Sequence, residues 1–238
     1  YIFLLALLIY KFWEPFPNRK NKKIGLFYIL AILAPIMVLF GGVNFGGDTV
    51  SPIAEQTRPI LLLLSSLPWQ LAAGFFGALP AVIIGSLTGI STAIWGTHNI
   101  FVIPETIGMV LLFSFFIRQN YRSKFFAIAR IPIISAILTA AVFFPIFLFN
   151  QALTIDGSLA ARIDYSFSQT FLSSILRIGE LFIGGIFSSI IYYFTRTFWF
   201  QPKNLLPTPV ERKIENRYLV TTLPIILFVL IFVVFVDW

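Results

Sequence analysis

The amino-acid sequence predicts an all-α protein, a polytopic transmembrane helix bundle of about seven to eight membrane segments. Of the 238 residues, 58% are hydrophobic and 11% are charged, whereas a soluble domain carries about 25% charged residues. Long apolar runs fill most of the chain, and several of them reach the roughly 20 residues that a helix needs to cross the hydrocarbon layer. Positive charges gather between these runs, as they do in the cytoplasmic loops of membrane proteins.

The distribution of charge also predicts an orientation. Of the 17 Lys and Arg residues, 14 lie in three short stretches, namely Lys11, Arg19, Lys20, Lys22 and Lys23, then Arg118, Arg122, Lys124 and Arg130, then Arg196, Lys203, Arg212, Lys213 and Arg217. The intervening stretches carry the acidic residues Asp48, Glu55, Asp156 and Asp164. Because basic loops stay in the cytoplasm, we expect 14–23, 118–130 and 196–217 inside, and 43–58, 96–102 and 150–168 outside. The predicted location is the bacterial cytoplasmic (inner) membrane, crossed several times.

The apolar runs give the predicted segments in chain order: 1–13, 24–42, 59–73, 77–95, 103–117, 131–149, 171–194 and 218–236. We interpret the first as the remnant of a span and the chain as a piece of a longer protein. Two of the runs, 59–73 and 103–117, are too short to cross the hydrocarbon upright.

The predicted organisation has three parts. Residues 1–200 form a sensor-like transmembrane bundle, and the Pro-containing stretch 201–217 forms a cytoplasmic linker. Residues 218–238 form a final transmembrane helix that leads to a following domain outside this chain.

Small residues recur at every fourth position over 73–97, which predicts one flat helix face. They are Ala73, Gly77, Ala81, Gly85, Gly89, Ala93 and Thr97. Such stripes let helix backbones approach closely in membranes, so we expect Gly85 and Gly89 at a helix–helix contact. The alternative is that this face borders a ligand cavity.

Two charges lie inside the apolar run 171–194. Arg177 and Glu180 are three residues apart and therefore share one helix face, where they can pair. Charges within a span are costly and are candidates for a functional site. The alternatives are a purely structural pair, a helix that begins earlier, near Tyr165, or an Arg177 side chain that snorkels outward.

Further candidates lie on the predicted outer side. The candidate ligand-binding residues are Glu55, Arg58, Trp69, His98, Glu105, Arg177 and Glu180. We expect one outward-facing pocket for a small polar ligand, with the last two residues as its floor and the indole of Trp69 as a wall. For His98 the alternative is an ordinary solvated loop residue.

Several function classes are excluded or disfavoured. The chain has no cysteine, so it has no thiol nucleophile and no thiolate metal site. One histidine and scattered acids disfavour any metal site, and we expect no cofactor. The basic residues that give the net charge of +7 lie at predicted helix ends and not on one continuous surface, which argues against nucleic-acid binding. Phosphate-binding, metalloprotease and Ser-centred hydrolase motifs are absent, so we expect no enzyme in this fragment.

One part of the sequence resembles a known family. Arg58-Pro59 precedes a short segment, a Gly- and Pro-rich run follows over 74–89, and Trp95 and Arg118 end the next two apolar segments. This arrangement resembles the membrane module of the LytS-type five-transmembrane receptors of bacteria, which is similar in design to the S-components of energy-coupling-factor transporters. The chain departs from that pattern in having its acid, Glu55, three residues before the arginine, and in having Trp95 where a basic residue is common.

The resemblance implies a receptor input module that senses a small ligand or the state of the membrane. Its expected partners are the lipid bilayer, covalently attached kinase, cyclase or phosphatase domains of a two-component or related system, and a second copy in a homodimer. The alternative is the solute-capturing component of a transporter. Transporters commonly show internal repeats with broken helices in both halves, and only one glycine-rich hairpin is present here, which favours the receptor.

Overall fold

The computed structural model describes residues 23–44, 60–97, 99–154, 159–202 and 205–208. Within them the protein is all-α, as predicted. The helices are α1 (Lys23–Phe40), α2 (Leu67–Phe75), α3 (Ala78–Ser91), α4 (Val102–Arg118), α5 (Lys124–Ala129), α6 (Pro132–Thr154) and α7 (Leu159–Phe194). A π-helical segment, Thr92–Thr97, continues α3, and two three-residue strands, β1 (Gly42–Asn44) and β2 (Ile60–Leu62), pair antiparallel.

The helix pairs α3–α4 and α6–α7 pack antiparallel, and the short helix α2 contacts α1, α3, α4 and α7. The Trp69 ring meets Phe113 of α4 with ring centroids 5.5 Å apart, while Arg118 reaches the Ala73 carbonyl at 3.4 Å, so α2 and α4 run in the same direction. The same holds for α2 and α7, because Ser66, just before α2, contacts Glu180, while Gly74 in the last turn of α2 accepts at 2.9 Å from Phe200, beyond the end of α7. Helix α2 therefore lies inside the bundle.

A sharp turn separates α2 from α3. Helix α2 ends at Phe75, and Gly77 has a φ of 118°, a backbone conformation that only glycine adopts readily. The predicted segments 59–73 and 77–95 leave the connection at 74–76, and the turn lies one residue further along, at 76–77. Ala73 consequently belongs to a different helix from Gly85 and Gly89, so the small-residue stripe is divided between two helices.

The predicted contact of Gly85 and Gly89 is confirmed. Both glycines of α3 face α4: a Cβ at Gly89 would lie 3.1 Å from Cα of Ile103 and 3.3 Å from Cβ of Thr106, and one at Gly85 would meet the Val110 side chain. The absence of side chains at these two positions lets the helix backbones approach closely.

The paired strands supply backbone hydrogen bonds where α2 begins. Val43 pairs with Leu61, and Leu63 donates to the Gly41 carbonyl at 3.0 Å. Irregular backbone at membrane depth is tolerated only where protein groups satisfy it. The end of α1 thus covers the non-helical residues that precede the nine-residue helix α2.

Polarity is arranged with polar groups inside and apolar groups outside. The buried polar side chains include Ser65, Ser66, Gln70, Thr88, Ser91, Thr92, Thr106, Ser135, Thr139 and Ser188. The exposed surface carries large apolar side chains at helical spacing, among them Ile29, Ile32 and Ile36 of α1, and Ile83, Leu87, Ile90 and Ile94 of α3 and the segment that continues it. Many of the buried hydroxyls donate to the carbonyl four residues earlier in their own helix. Water is a poor solvent for such an exterior.

In the described part of the chain, two helices are long and apolar enough to cross a membrane, Ala78–Thr97 and Ser174–Phe194. Ile24–Phe40 and Pro132–Phe147 are shorter apolar helices. This does not support the predicted count of seven to eight spans. Of the six predicted segments that fall in the described ranges, five are helical over most of their length, and the sixth, 59–73, contains β2 and becomes helical only at Leu67. Segments 1–13 and 218–236, and the linker beyond residue 208, lie outside the described residues.

Candidate functional site

The two charges predicted within the membrane segment do pair. Arg177 Nη1 lies 2.9 Å from Glu180 Oε2, and the two side chains are 16% and 8% exposed. The second carboxylate oxygen, Oε1, accepts a hydrogen bond from Ser65 Oγ, in the turn before α2. Each oxygen of Glu180 thus has its own donor, one on α7 and one at the beginning of α2.

Two more side chains of the α2 region reach the backbone of α7. Ser66 Oγ donates to the Glu180 carbonyl at 2.9 Å, and Gln70 Nε2 donates to the Leu181 carbonyl at 3.2 Å. Ser188 Oγ in turn donates to Gln70 Oε1 at 3.0 Å. Because a carbonyl oxygen accepts two hydrogen bonds, these contacts add to the ladder of α7 without breaking it. We call the set Ser65, Ser66, Gln70, Glu180 and Ser188 the polar seam.

Two adjacent glycines make the polar seam possible. In a helix each side chain leans back over the preceding turn, so a side chain at 184 would cover the Glu180 carbonyl. A Cβ at Gly184 would collide with Ser66 Oγ and would lie 2.9 Å from Gln70 Nε2. Gly185 instead faces α6, since a Cβ added there would lie 2.7 Å from Ala136 Cβ. The glycine pair therefore lets α7 contact α2 and α6 closely at the same level.

The beginning of α2 also suits a carboxylate electrostatically. The first N–H groups of a helix lack intrahelical partners and carry partial positive charge. Ser66 is the residue before α2, and its hydroxyl does not cap its own helix, because it bonds to α7. The Glu180 carboxylate, held by Ser65, lies beside this end of α2, where a negative charge is favourable.

A cleft opens beside Arg177. It is lined by Met109, Ala140, Phe143, Phe144, Phe147, Ser174, Arg177, Ile178 and Leu181. Its empty volume is about 280 Å³, counting the part open to the surroundings. The walls come from α4, α6 and α7, and all but two of the lining side chains are apolar. Arg177 is therefore shared between the ion pair with Glu180 and this cleft.

One nitrogen of Arg177 lacks a hydrogen-bond acceptor. Nη2 is buried and has no partner in the described ranges, although its neighbour Nη1 bonds Glu180. Leaving a buried donor unsatisfied costs about 1–3 kcal/mol, and more for a charged group. An acceptor that enters the cleft and reaches this nitrogen would recover that free energy.

Of the other predicted site residues, the structure describes Trp69 and Glu105, and neither lines the cleft. Trp69 is 1% exposed and packs edge-on against Phe113 in the core, and it does not line the cleft. Glu105 is buried in the first turn of α4, one turn before the cleft residue Met109. Glu55, Arg58 and His98 lie outside the described residues, so the single pocket that was to combine all seven residues stays a prediction.

Sequence reasoning missed most of the polar seam. Ser65, Ser66 and Gln70 are polar residues in an otherwise apolar short segment, and Gly184-Gly185 interrupts an apolar span. Polar side chains and paired small residues in such positions indicate helix–helix contact in membranes. That signal was available, but it did not identify the partner helix.

The far end of α2 is also attached to the chain that follows α7. Trp199 is 4% exposed, and its ring occupies the space in which a Gly74 side chain would lie. The Arg118 guanidinium lies 4.3 Å from the centre of the Phe200 ring, within cation–π range. Segments 74–76, 118–122, 199–202 and 205–206 meet here, joined by the hydrogen bonds between Leu206 and Asn120 and between Arg122 and Leu206.

No group of three or more His, Cys, Asp or Glu side chains that could hold a metal ion occurs in the part of the chain that the structure describes. Comparison with known proteins yields no match among family models, curated proteins or solved structures.

Proposed function

We propose that the chain is the membrane-embedded input module of a bacterial signal-transduction receptor. In this proposal a small ligand binds in the cleft beside Arg177, and its presence is relayed along α7 to signalling domains attached outside this chain. The observation that carries the proposal is the position of Arg177, a cation with an unsatisfied buried nitrogen at an open apolar cleft. Charged groups held within membrane segments are costly and typically have a function.

The placement in a membrane rests on polarity and helix length. Two helices have the length and composition of spans, and the exposed faces of α1, α3, α6 and α7 carry isoleucine, leucine and phenylalanine. In the proposed orientation the end with Phe76, Arg118 and Trp199 faces the cytoplasm, because the basic stretches 118–130 and 196–217 begin there. The cleft then lies in the outer half of a multi-pass bundle.

The relay rests on how α2 is attached to α7. The polar seam joins them near Glu180, and Trp199 and Phe200 join the following residues to Gly74. Helix α2 is thus held at both ends by one continuous helix and the turn after it. A shift of α7 at the cleft must move α2 or break these contacts, so a change at Arg177 reaches the opposite end of the bundle.

A transporter component that captures a solute is the second candidate, because an open cleft with one cation also suits a transported anion. The two functions differ in what the site does next: a receptor changes the arrangement of its cytoplasmic end, whereas a transporter releases its ligand on the other side.

The relay is tested with spin labels on cysteines introduced at Asn120 and Arg196, both exposed, in the full chain reconstituted in lipid nanodiscs. We expect Arg177→Gln, which breaks the pair with Glu180, to change the distance distribution between the labels. Phe187→Leu, on the exposed face of the same helix, is the matched control and should leave it unchanged. An unchanged distribution in the folded Arg177→Gln variant contradicts the relay.

A further inference from the structure

We infer that the cleft beside Arg177 takes an amphipathic monoanion, a single carboxylate or equivalent oxyanion carried on an apolar chain or ring. This inference rests on the proposed function and names the ligand class of the same site. It follows from the charge, the lining and the shape of the cleft.

The charge argument begins with the way in which Glu180 is shared. A guanidinium presents a planar fork that pairs two of its nitrogens with the two oxygens of one carboxylate. Here Glu180 gives only Oε2 to Arg177, because Oε1 accepts from Ser65. The fork is therefore half used, and Nη2 has no acceptor in the described part of the chain. A second oxyanion can bond that nitrogen while the pair with Glu180 stays intact, once the side chains that cover Nη2 move aside.

The neighbouring carboxylate limits the charge of the ligand. Arg177 carries one positive charge and Glu180 lies 2.9 Å from it, so a dianion entering the cleft would meet the repulsion of Glu180 in a medium of low dielectric constant. A monoanion adds the fewest unfavourable contacts and still satisfies Nη2. Carboxylates and phosphodiesters fit this requirement, whereas phosphate monoesters, which are near −2 at neutral pH, do not.

The lining specifies the rest of the ligand. The lining includes three phenylalanines of α6, Phe143, Phe144 and Phe147, together with Met109, Ile178 and Leu181. A sugar or nucleotide would bury several polar groups against these walls without partners, which is unfavourable. An aliphatic chain or a single aromatic ring buries apolar surface there, while its oxyanion meets Arg177.

The size of the cleft decides which part of the ligand it can enclose. Its empty volume of about 280 Å³ includes the open side, so the enclosed part of the cleft is small. The oxyanion is the part of the ligand that lies in the enclosed part beside Arg177, and the apolar chain or ring lies along the open part. Two sources supply this chemistry: a free amphipathic acid and the phosphodiester of an acidic lipid.

The test uses octanoate as the probe and the full chain in nanodiscs of phosphatidylcholine, with binding measured by calorimetry. We expect saturable binding of octanoate, and binding about tenfold or more weaker for octanol and for methyl octanoate, because a hydrogen bond to a charged group is lost. Arg177→Gln should weaken octanoate binding by a similar factor and Arg177→Lys by less. Arg196→Gln, which removes an exposed arginine, should have no effect. The neutral analogues test the charge requirement without any substitution.

A second arm distinguishes the two sources. Replacing phosphatidylcholine by phosphatidylglycerol should leave octanoate binding unchanged if a free acid is the ligand. If the lipid phosphodiester occupies the cleft, octanoate binding falls in phosphatidylglycerol, and the lipid raises the melting temperature of the wild type but not of Arg177→Gln. Equal affinity for octanol and octanoate, or no Arg177-dependent effect in either lipid, overturns the inference. The spin-label distances are measured without any ligand, so the relay can stand when the ligand class fails.

Discussion

Gly184 of α7 faces Ser66, the residue before α2, so closely that a single added carbon atom would collide with the serine hydroxyl. The hydroxyl occupies this space in order to reach the Glu180 carbonyl, one turn earlier on α7. The contact between α2 and α7 therefore depends on a residue with no side chain as much as on the polar groups themselves.

Gly184→Ala should destabilise the protein. The methyl group must displace Ser66 and disturb Gln70, and such overpacking costs about 1–3 kcal/mol, in addition to a lost hydrogen bond of about 1 kcal/mol. Gly179→Ala is the matched control on the same helix, since its nearest neighbour, Leu61 Cδ1, would lie at an ordinary 3.7 Å. Thermal unfolding in detergent compares the two variants. Equal melting temperatures would show that α2 and α7 can separate enough to admit the added methyl group without loss of stability.

The Arg177–Glu180 pair should behave as a coupled unit. Removing one partner of a buried ion pair typically costs about 3–5 kcal/mol, because the other charge is left without a partner. We expect Arg177→Met and Glu180→Leu each to lower stability, and the double variant to lose less than the sum of the two by about 0.5–3 kcal/mol. Unfolding of the three variants and the wild type completes the cycle, and strict additivity would contradict the pairing.

Larger side chains on the face of α3 that meets α4 should destabilise the protein. Gly89→Leu places a side chain against the backbone of Ile103, which cannot give way as a flexible side chain would, so we expect a loss of about 1–3 kcal/mol. Gly25→Leu on α1 is the control, because nothing lies within 4 Å of a Cβ there. A melting temperature unchanged by the Gly89 substitution would rule out the close contact between α3 and α4.

The proposed orientation predicts the labelling of single cysteines. The chain has no cysteine of its own, so each introduced thiol reports alone. In intact cells an impermeant thiol reagent should label a cysteine at Ile100, which is 72% exposed and lies between α3 and α4, and should not label one at Asn120. Labelling of both after permeabilisation is the control. The reverse labelling pattern in intact cells would show that the bundle has the opposite orientation in the membrane.

The lengths of most helices were predictable because lipid-crossing helices and apolar runs have the same extent. The predicted segments 24–42 and 103–117 correspond to Lys23–Phe40 and Val102–Arg118. The last described helix differs: its apolar run begins at residue 171, but α7 begins at Leu159. Polar residues such as Arg162 and Asp164 interrupt the apolar run without ending the helix, so hydropathy alone placed the boundary too late.

The candidate site was predictable only as far as it is local. The pairing of Arg177 with Glu180 follows from their spacing of three residues on a helix. The contacts of Glu180 with Ser65 and Ser66 join positions more than 100 residues apart in the chain, and no periodicity encodes such a pairing. The strands Gly42–Asn44 and Ile60–Leu62 were missed for the same reason, because each is three residues long and forms only against the other.

The length of α7 gives it the proportions of a lever. Its 36 residues extend about 54 Å at 1.5 Å per residue, nearly twice the thickness of the hydrocarbon layer. Glu180, where α2 is attached, divides it into arms of about 21 Å toward Phe194 and about 32 Å toward Leu159. With Glu180 as the pivot, a rotation of a few degrees moves each end by about 1–2 Å, the size of the helix shifts found in known switches. In the proposed orientation and relay, a displacement of the outer arm is thus delivered to the inner end at a reduced amplitude and an increased force.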